Sequence, residues 1–132
     1  RIYFFTAPLS RHETPEEQAA QKDQNRFFNA LRNKHIQIIL GSQKEIRPGI
    51  MVEKGTDVNI AVQMLHLDYK DAYDVAVLVS GDSDLIGAVK AVQDTGRQVE
   101  NVCARSASAD NLRQTCDSSI ILTYQLIQNY FI

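Results

Sequence analysis

The sequence predicts an α/β domain with a mainly parallel β-sheet. Three observations lead to this fold class: short apolar runs typical of strands, helical segments between them, and the short spacing at which the two alternate along 132 residues. Such an alternation forms βαβ units, whose strands are parallel. A chain of this length buries about two thirds of the surface of its unfolded state, which is enough for one hydrophobic core. We therefore expect residues 1–132 to form a single domain.

Apolar runs and helical patterns locate the elements along the chain. Runs rich in Val, Ile, Leu and Phe predict strands at 2–5, 36–40, Val75–Val79, 99–102 and 120–122. Helical patterns predict helices at about 15–33, 57–67, 85–92 and 111–115, with a terminal helix after the last strand. Thr14 and Glu17 form a capping box at the start of the first helix, and Pro15 suits its first position.

Three segments carry expectations about packing. Residues 42–51 are polar and contain Pro48-Gly49, which predicts a loop or a loose hairpin. The helix at about 57–67 is apolar on most sides, so we expect it to be well buried. The run Val75–Val79 fits a central strand of a parallel sheet, buried on both faces.

Composition limits the classes of partner and compartment. The formal net charge is −2, which argues against broad electrostatic capture of duplex nucleic acid but allows a short single strand bound through a cation. No apolar run approaches the length of a membrane span, and no signal peptide is present, so we expect a cytoplasmic protein without a membrane partner. Cys103 and Cys116 are not spaced as a C-x-x-C pair, and we expect free thiols in a reducing compartment.

The segment 74–85, D-V-A-V-L-V-S-G-D-S-D-L, carries most of the functional information. Its apolar run ends at Ser80-Gly81, and the two carboxylates of Asp82 and Asp84 follow at once. Ligands of open α/β sheets bind at the carboxyl ends of the strands. Because no basic residue accompanies the two acids in this segment, they indicate a hard cation, Mg²⁺ or Mn²⁺. Such a cation offsets carboxylate repulsion and activates water for attack on a phosphodiester.

A plainer interpretation of Asp82 and Asp84 is that they only cap the next helix. We favour the metal, because a helix cap requires neither the preceding buried strand nor Gly81. Asp57 is a candidate third acid, although an acid in the first turn of a helix also stabilises the helix dipole. Asp117 is a candidate fourth acid, with a turn residue as the alternative.

Basic residues flank the loop that leads to Asp57. Lys44, Arg47 and Lys54 are candidates for phosphate contacts, and a solvated loop is the alternative interpretation. The histidines show no spacing typical of metal ligands, and Ser80 lacks both a G-x-S-x-G elbow and a histidine partner. A metal-dependent phosphatase or a nucleotide-sugar enzyme remains a weaker option, because the chain lacks the further acids of the first and the length of the second.

Two motifs resemble those of the NYN domain family, a PIN-like ribonuclease group that includes LabA-type proteins. The family pattern K-G-x-D matches residues 54–57, and S-G-D-S-D-F matches residues 80–85. The family's closing segment resembles Ser108, Leu112 and Cys116-Asp117. The resemblance covers nearly the whole chain. It implies a Rossmann-like PIN fold, a three-layer sandwich with a mainly parallel sheet. It also implies a Mg²⁺ or Mn²⁺ centre built from Asp57, Asp82 and Asp84, and RNA as substrate.

Two departures from the family pattern bear on catalysis. The family opens with a strand that ends in D-G-x-N, whose Asp is a principal metal ligand. This sequence begins after that point, so we expect that upstream residues lie outside it. The second departure is Gln63, at a helix position where relatives often carry another acid.

Two functional hypotheses of different classes follow from these residues. The first is a metal-dependent endoribonuclease that acts on single-stranded RNA, with Asp57, Asp82 and Asp84 as catalytic residues. The second is a catalytically impaired NYN module that binds RNA or a protein partner in a regulatory role. The sequence does not determine the oligomeric state, and a homodimer is one option.

Overall fold

The computed structural model describes residues 1–11 and 13–130, apart from the side chains of residues 107 and 108. The elements in chain order are β1 (Tyr3–Thr6), α1 (Pro15–Asn33), β2 (Gln37–Leu40), β3 (Ser42–Arg47), β4 (Ile50–Lys54), α2 (Thr56–Tyr69), β5 (Val75–Val79), α3 (Ile86–Asp94), β6 (Gln98–Ala104), α4 (Ala107–Thr115), β7 (Ser118–Leu122) and α5 (Tyr124–Gln128). The predicted α/β class with mainly parallel strands is confirmed. The chain divides into two compact units, Arg1–Ile60 and Ala61–Ile132, and the single domain stays a prediction.

In the unit Arg1–Ile60, β1 and β2 form a parallel pair beside α1. The predicted capping box is confirmed: Thr14 Oγ1 accepts a hydrogen bond from the Glu17 N–H at 3.2 Å, and the Glu17 carboxylate accepts one from the Thr14 N–H. Phe4 on β1 meets Phe27 on α1 edge to face, with ring centroids 5.4 Å apart. These aromatic contacts and the buried Phe28 fix α1 against the strands.

The polar segment after β2 is the hairpin β3–β4, one of the two predicted alternatives. Gly49 adopts a φ of 84° in its turn, a conformation that favours glycine. The Glu45 carboxylate accepts a hydrogen bond from the Gly49 N–H at 2.8 Å and pairs with Arg11 at 2.5 Å. One side chain therefore closes the hairpin turn and connects it to the segment that follows β1.

The expectation that the second helix is well buried is wrong. In α2, Val58 is 64% exposed and Val62 is 58% exposed. Among the described residues of this helix, Asp68 alone is buried. When a helix is apolar on most sides, its sequence does not indicate which face packs against the core. None of the helices in residues 1–11 and 13–130 is both long and apolar enough to span a membrane.

In the unit Ala61–Ile132, the strands form a parallel sheet in the order β5-β6-β7. Helices α3 and α4 contact β6, the middle strand. Their shared core consists of residues with almost no exposure: Leu85, Val89, Val92, Val99 and Leu112. Because β6 carries buried residues at alternate positions, one of its faces lies against these helices.

Within the unit Ala61–Ile132, β5 does not occupy the predicted position of a central strand buried on both faces. Within its unit β5 pairs with β6 alone, so it is an edge strand there. Val77 and Val79 are 59% and 67% exposed, whereas Leu78 between them is buried. A short apolar run contains no alternation from which sequence reasoning could recognise a strand that is covered on one face only.

An ion-pair cluster lies at the amino ends of β5 and β6. Arg97, which precedes β6, pairs with the buried Asp68 at 2.7 Å, with Asp71, and with Asp74 at 3.6 Å. The Thr95 hydroxyl donates a second hydrogen bond to Asp68 at 3.0 Å. This cluster connects the end of α2 to the turn before β6, at the edge of the sheet opposite to the carboxyl ends of the strands.

Candidate metal centre

The two acids of the S-G-D-S-D motif lie in a hydrogen-bonded turn directly after β5, which we call the acid turn (residues 80–84). Ser80 Oγ accepts a hydrogen bond from the Asp82 N–H at 3.1 Å. Asp82 Oδ1 accepts one from the Asp84 N–H at 2.9 Å and so caps the 3₁₀ turn Ser83–Leu85. The capping interpretation is therefore correct for one oxygen of Asp82, which leaves Oδ2 and the Asp84 carboxylate for other partners.

Gly81 lets α4 approach the acid turn closely. A Cβ atom built on Gly81 would lie 3.2 Å from the Cβ of Ala109 and 4.0 Å from Ser106 Oγ. Ala109 is 1% exposed, so its methyl group has little room to move away. The absence of a side chain at position 81 therefore places the start of α4 beside the two acids.

Within the described part of the unit Ala61–Ile132, neither Asp82 nor Asp84 forms an ion pair. Asp84 is exposed and Asp82 is partly exposed. Two hard oxygen donors without a cationic side chain match the ligands that Mg²⁺ or Mn²⁺ takes in proteins. Counting only the described residues, neither unit by itself assembles three or more His, Cys, Asp or Glu side chains that could hold a metal ion.

Two residues on or directly after β6 were missed from the sequence. Asn101 is fully buried, and its Nδ2 donates to the carbonyl oxygens of Leu78 and Ser80. Arg105 follows the last residue of β6, is exposed, and forms no ion pair in the described part of its unit. The signal for Asn101 is the strand register, which pairs it with Leu78.

The register also relates Arg105 to the acid turn. Val79 pairs with Val102, and the chain runs three residues further to Asp82 on one strand and to Arg105 on the other. Neighbouring strands lie about 4.8 Å apart. Arg105 therefore follows the carboxyl end of β6 as the two acids follow that of β5, and it forms no ion pair with them among the described residues.

The structure corrects the interpretation of Asp117 as a fourth acid of the site. Asp117 precedes β7, and its Oδ2 accepts hydrogen bonds from the Val99 N–H at 2.8 Å and from Gln93 Nε2 at 3.0 Å. These bonds hold it at the amino edge of the parallel sheet, whereas Asp82 follows the carboxyl end of β5. The hydrogen bond from Val99, with that from Gln93, lowers the pKa of Asp117. Asp117 therefore connects the starts of β6 and β7 to α3.

The other predicted site residues lie in the unit Arg1–Ile60. Asp57 is exposed in the first turn of α2, two residues after Gly55. Lys44 and Arg47 are exposed on β3, and Lys54 is the exposed last residue of β4. Because Asp57 belongs to one unit and the acid turn to the other, their convergence stays a prediction.

The segment resembling the family's closing motif has a structural role where it is described. Leu112 is fully buried, and Asp117 holds the strand ends together. The side chain of Ser108 lies outside the described residues.

Comparison with known proteins supports the family that the motifs indicate. The model of the NYN domain matches residues 4–123. The chain belongs to the NYN domain family. A search of curated proteins gives no match for this NYN chain.

Among solved structures, the NYN chain is similar to the crystal structure of a protein of unknown function from Vibrio parahaemolyticus. The TM-score is 0.62 at 22% sequence identity, over 90% of this chain and 68% of that chain. This likeness supports the α/β fold.

Proposed function

We propose that this NYN chain is a Mg²⁺- or Mn²⁺-dependent endoribonuclease that cleaves phosphodiesters of single-stranded RNA. The observation that carries the proposal is the acid turn. Asp82 and Asp84 follow β5 in a fixed turn, and no cationic side chain of their unit neutralises them within the described residues. In a family of PIN-like nucleases, such a pair of carboxylates at the end of a strand fits the hard cation that this chemistry requires.

Each acid has a distinct part in this proposal. Asp82 and Asp84 would hold the cation, and Asp57 would complete the site from the start of α2. When bound, the cation would supply a Lewis acid and a water of lowered pKa. The hydrogen bond from the Asp84 N–H fixes the direction of the Asp82 carboxylate, so little rotamer entropy would be lost when Asp82 binds.

Basic residues would bind the RNA backbone. Arg105 lies at the same sheet edge as the acids, and a guanidinium binds phosphate oxygens in a bidentate manner. Lys44, Arg47 and Lys54 would contact other phosphates of the RNA chain. We also propose a cytoplasmic location, because Cys103 and Cys116 are unpaired thiols.

A second candidate function is a catalytically impaired NYN module that binds RNA or a protein in a regulatory role. The observation that favours it is the number of candidate ligands, since within the described residues neither unit by itself brings together three acids that could hold a metal ion. Gln63 contributes an amide to α2 where an acid would add a charged ligand.

An assay of single-stranded RNA cleavage by the natural protein distinguishes the two functions. We expect cleavage that EDTA abolishes and that added Mg²⁺ or Mn²⁺ restores. Asp82→Asn should reduce cleavage to the level with EDTA while leaving the fold intact, because the amide has the size of the carboxylate without its charge. Asp94→Asn, which changes an exposed acid on α3, is the matched control. Cleavage without metal, or full activity in Asp82→Asn, contradicts the nuclease proposal, and RNA binding without cleavage supports the regulatory module.

A further inference from the structure

Asn101 makes a side-chain contact between β6 and the end of β5. Its Nδ2 donates to the Leu78 carbonyl at 3.0 Å and to the Ser80 carbonyl at 2.9 Å. The residue is 0% exposed, in a core whose other fully buried members are apolar. A buried amide is costly unless it is hydrogen-bonded, so the two bonds explain why its donor is tolerated there.

The orientation of this amide is fixed by chemistry. Exchanging Oδ1 and Nδ2 would place the amide oxygen against two carbonyl oxygens, so Nδ2 must face β5. Oδ1 is then buried and has no hydrogen-bond partner among the described residues. An unpartnered buried acceptor destabilises a fold, because it loses its hydrogen bonds to water and gains none in exchange. An apolar side chain of similar size would avoid that cost, so the packing of the core alone does not account for asparagine at this position.

The two bonds from Asn101 begin a chain of hydrogen bonds that ends at the acids. Asn101 holds the carbonyl of Ser80, and Ser80 Oγ accepts from the Asp82 N–H at 3.1 Å. Asp82 Oδ1 in turn accepts from the Asp84 N–H at 2.9 Å. The Ser80 N–H is itself bonded to the Val102 carbonyl of β6 at 3.1 Å. Residues of β6 therefore hold Ser80 at both its N–H and its carbonyl oxygen, and the acid turn starts from a fixed residue.

We propose that Asn101 is a positioning residue that sets the geometry of the acid turn from the neighbouring strand. The expected effect on metal binding rests on the proposed function. The positioning of the acid turn rests on the hydrogen bonds alone. Asn101 does not touch the substrate; it acts through Ser80 on Asp82 and Asp84. Residues that orient metal ligands in this indirect way typically change metal affinity by about 10- to 100-fold when they are replaced.

The test compares two replacements of Asn101 with two controls. Asn101→Asp keeps the shape but presents an acceptor to the two carbonyls, and Asn101→Leu removes both bonds. Asn111→Asp makes the same chemical change at an exposed site on α4, and Val92→Ala removes buried volume on α3 without touching the turn. All are measured well below their unfolding temperatures, by amide hydrogen exchange at Asp82 and Asp84 and by titration with Mn²⁺ alone.

We expect both Asn101 variants to lose protection of the Asp82 and Asp84 amides and to bind Mn²⁺ about 10- to 100-fold more weakly. Val92→Ala should unfold at a lower temperature yet keep the wild-type exchange and Mn²⁺ affinity, and Asn111→Asp should match the wild type. If the Asn101 variants change only in unfolding temperature, as Val92→Ala does, the positioning role is overturned.

Two further outcomes also decide the question. If the wild type binds no Mn²⁺, the proposed metal function fails, and amide exchange alone decides the role of Asn101. If neither Asn101 variant folds, scalar couplings through the hydrogen bonds from Asn101 Nδ2 to the Leu78 and Ser80 carbonyl carbons are measured in the wild type. Couplings at both carbons support the proposal, and their absence overturns it.

Discussion

Asp117 and Val99 are joined across the amino edge of the β5-β6-β7 sheet, where the Asp117 carboxylate accepts the Val99 N–H at 2.8 Å. The same oxygen accepts a hydrogen bond from Gln93 on α3 at 3.0 Å. One carboxylate thus connects two strands and a helix, in a segment whose motif suggested a place in the active site. The sheet direction separates this role from that of Asp82, because the two acids lie at opposite ends of parallel strands.

Stability in acid should depend on Asp117. Its hydrogen bonds lower its pKa in the folded state below the ordinary value of 3.8, so the unfolded chain binds the proton more tightly. The stabilisation is fully present above that ordinary value and is lost as pH falls through the lower folded-state pKa. We expect Asp117→Ala to unfold more easily at neutral pH and to lose less further stability in acid than the wild type. Urea unfolding from pH 7 to pH 2 measures this, with Asp94→Ala as the control. A wild-type acid profile in Asp117→Ala would contradict the role.

Arg97 should be required for the stability of the unit Ala61–Ile132. It is the partner of three carboxylates, of which that of Asp68 is buried. A buried carboxylate without its cation is strongly unfavourable, so Arg97→Met should lower the urea midpoint substantially. Arg97→Lys should recover only part of the loss, because an ammonium cannot bind several carboxylates with the geometry of a guanidinium. Arg113→Met is the control, since Arg113 pairs with one exposed acid in its own helix. Full recovery by lysine would show that charge alone matters.

Asp57 and Asp82 should behave as one site in a double-mutant cycle. If both hold the same cation, Asp57→Asn and Asp82→Asn should each remove most RNA cleavage, and the double variant should be little worse than either single variant. Additive losses would show two independent contributions and exclude a shared centre. The measurement is the single-turnover cleavage rate at saturating Mn²⁺, with Asp94→Asn alone and in combination as the control.

Both thiols should react slowly in the folded protein. The prediction that Cys103 and Cys116 are unpaired is confirmed, and Cys103 is buried. Burial, with contributions from Asp117 and Cys103, raises the pKa of Cys116 above 9.0, so little thiolate is present at pH 8. We expect slow modification by a thiol reagent at pH 8, a higher rate as pH rises, and rapid reaction of two thiols after unfolding. Rapid modification of the folded protein at pH 8 would contradict the burial of these groups.

Local signals in the sequence predicted the elements well. The capping box of Thr14 and Glu17 involves residues that are close in the chain, and the structure forms it as predicted. The acid turn was also recognised, because a strand, a glycine and two acids follow one another within ten residues of Val75.

Expectations that depended on distant packing were less successful. The exposure of Val77 on β5 and of Val62 on α2 depends on which elements lie alongside, and an apolar run does not encode that. Asn101 was missed for a similar reason, since its function arises only when β6 is placed beside β5. The role of Asp117 likewise depends on the direction of β7 relative to β5 rather than on its neighbours in sequence.

The close approach of Gly81 and Ala109 makes these two positions share one small volume. A methyl group at position 81 would lie only 3.2 Å from the methyl of Ala109, closer than an ordinary van der Waals contact, so each position limits the size of the other. Related proteins that carry a larger residue after the serine of this motif should therefore carry glycine in place of the alanine of the helix. Substitutions at these two positions should therefore be coupled during evolution.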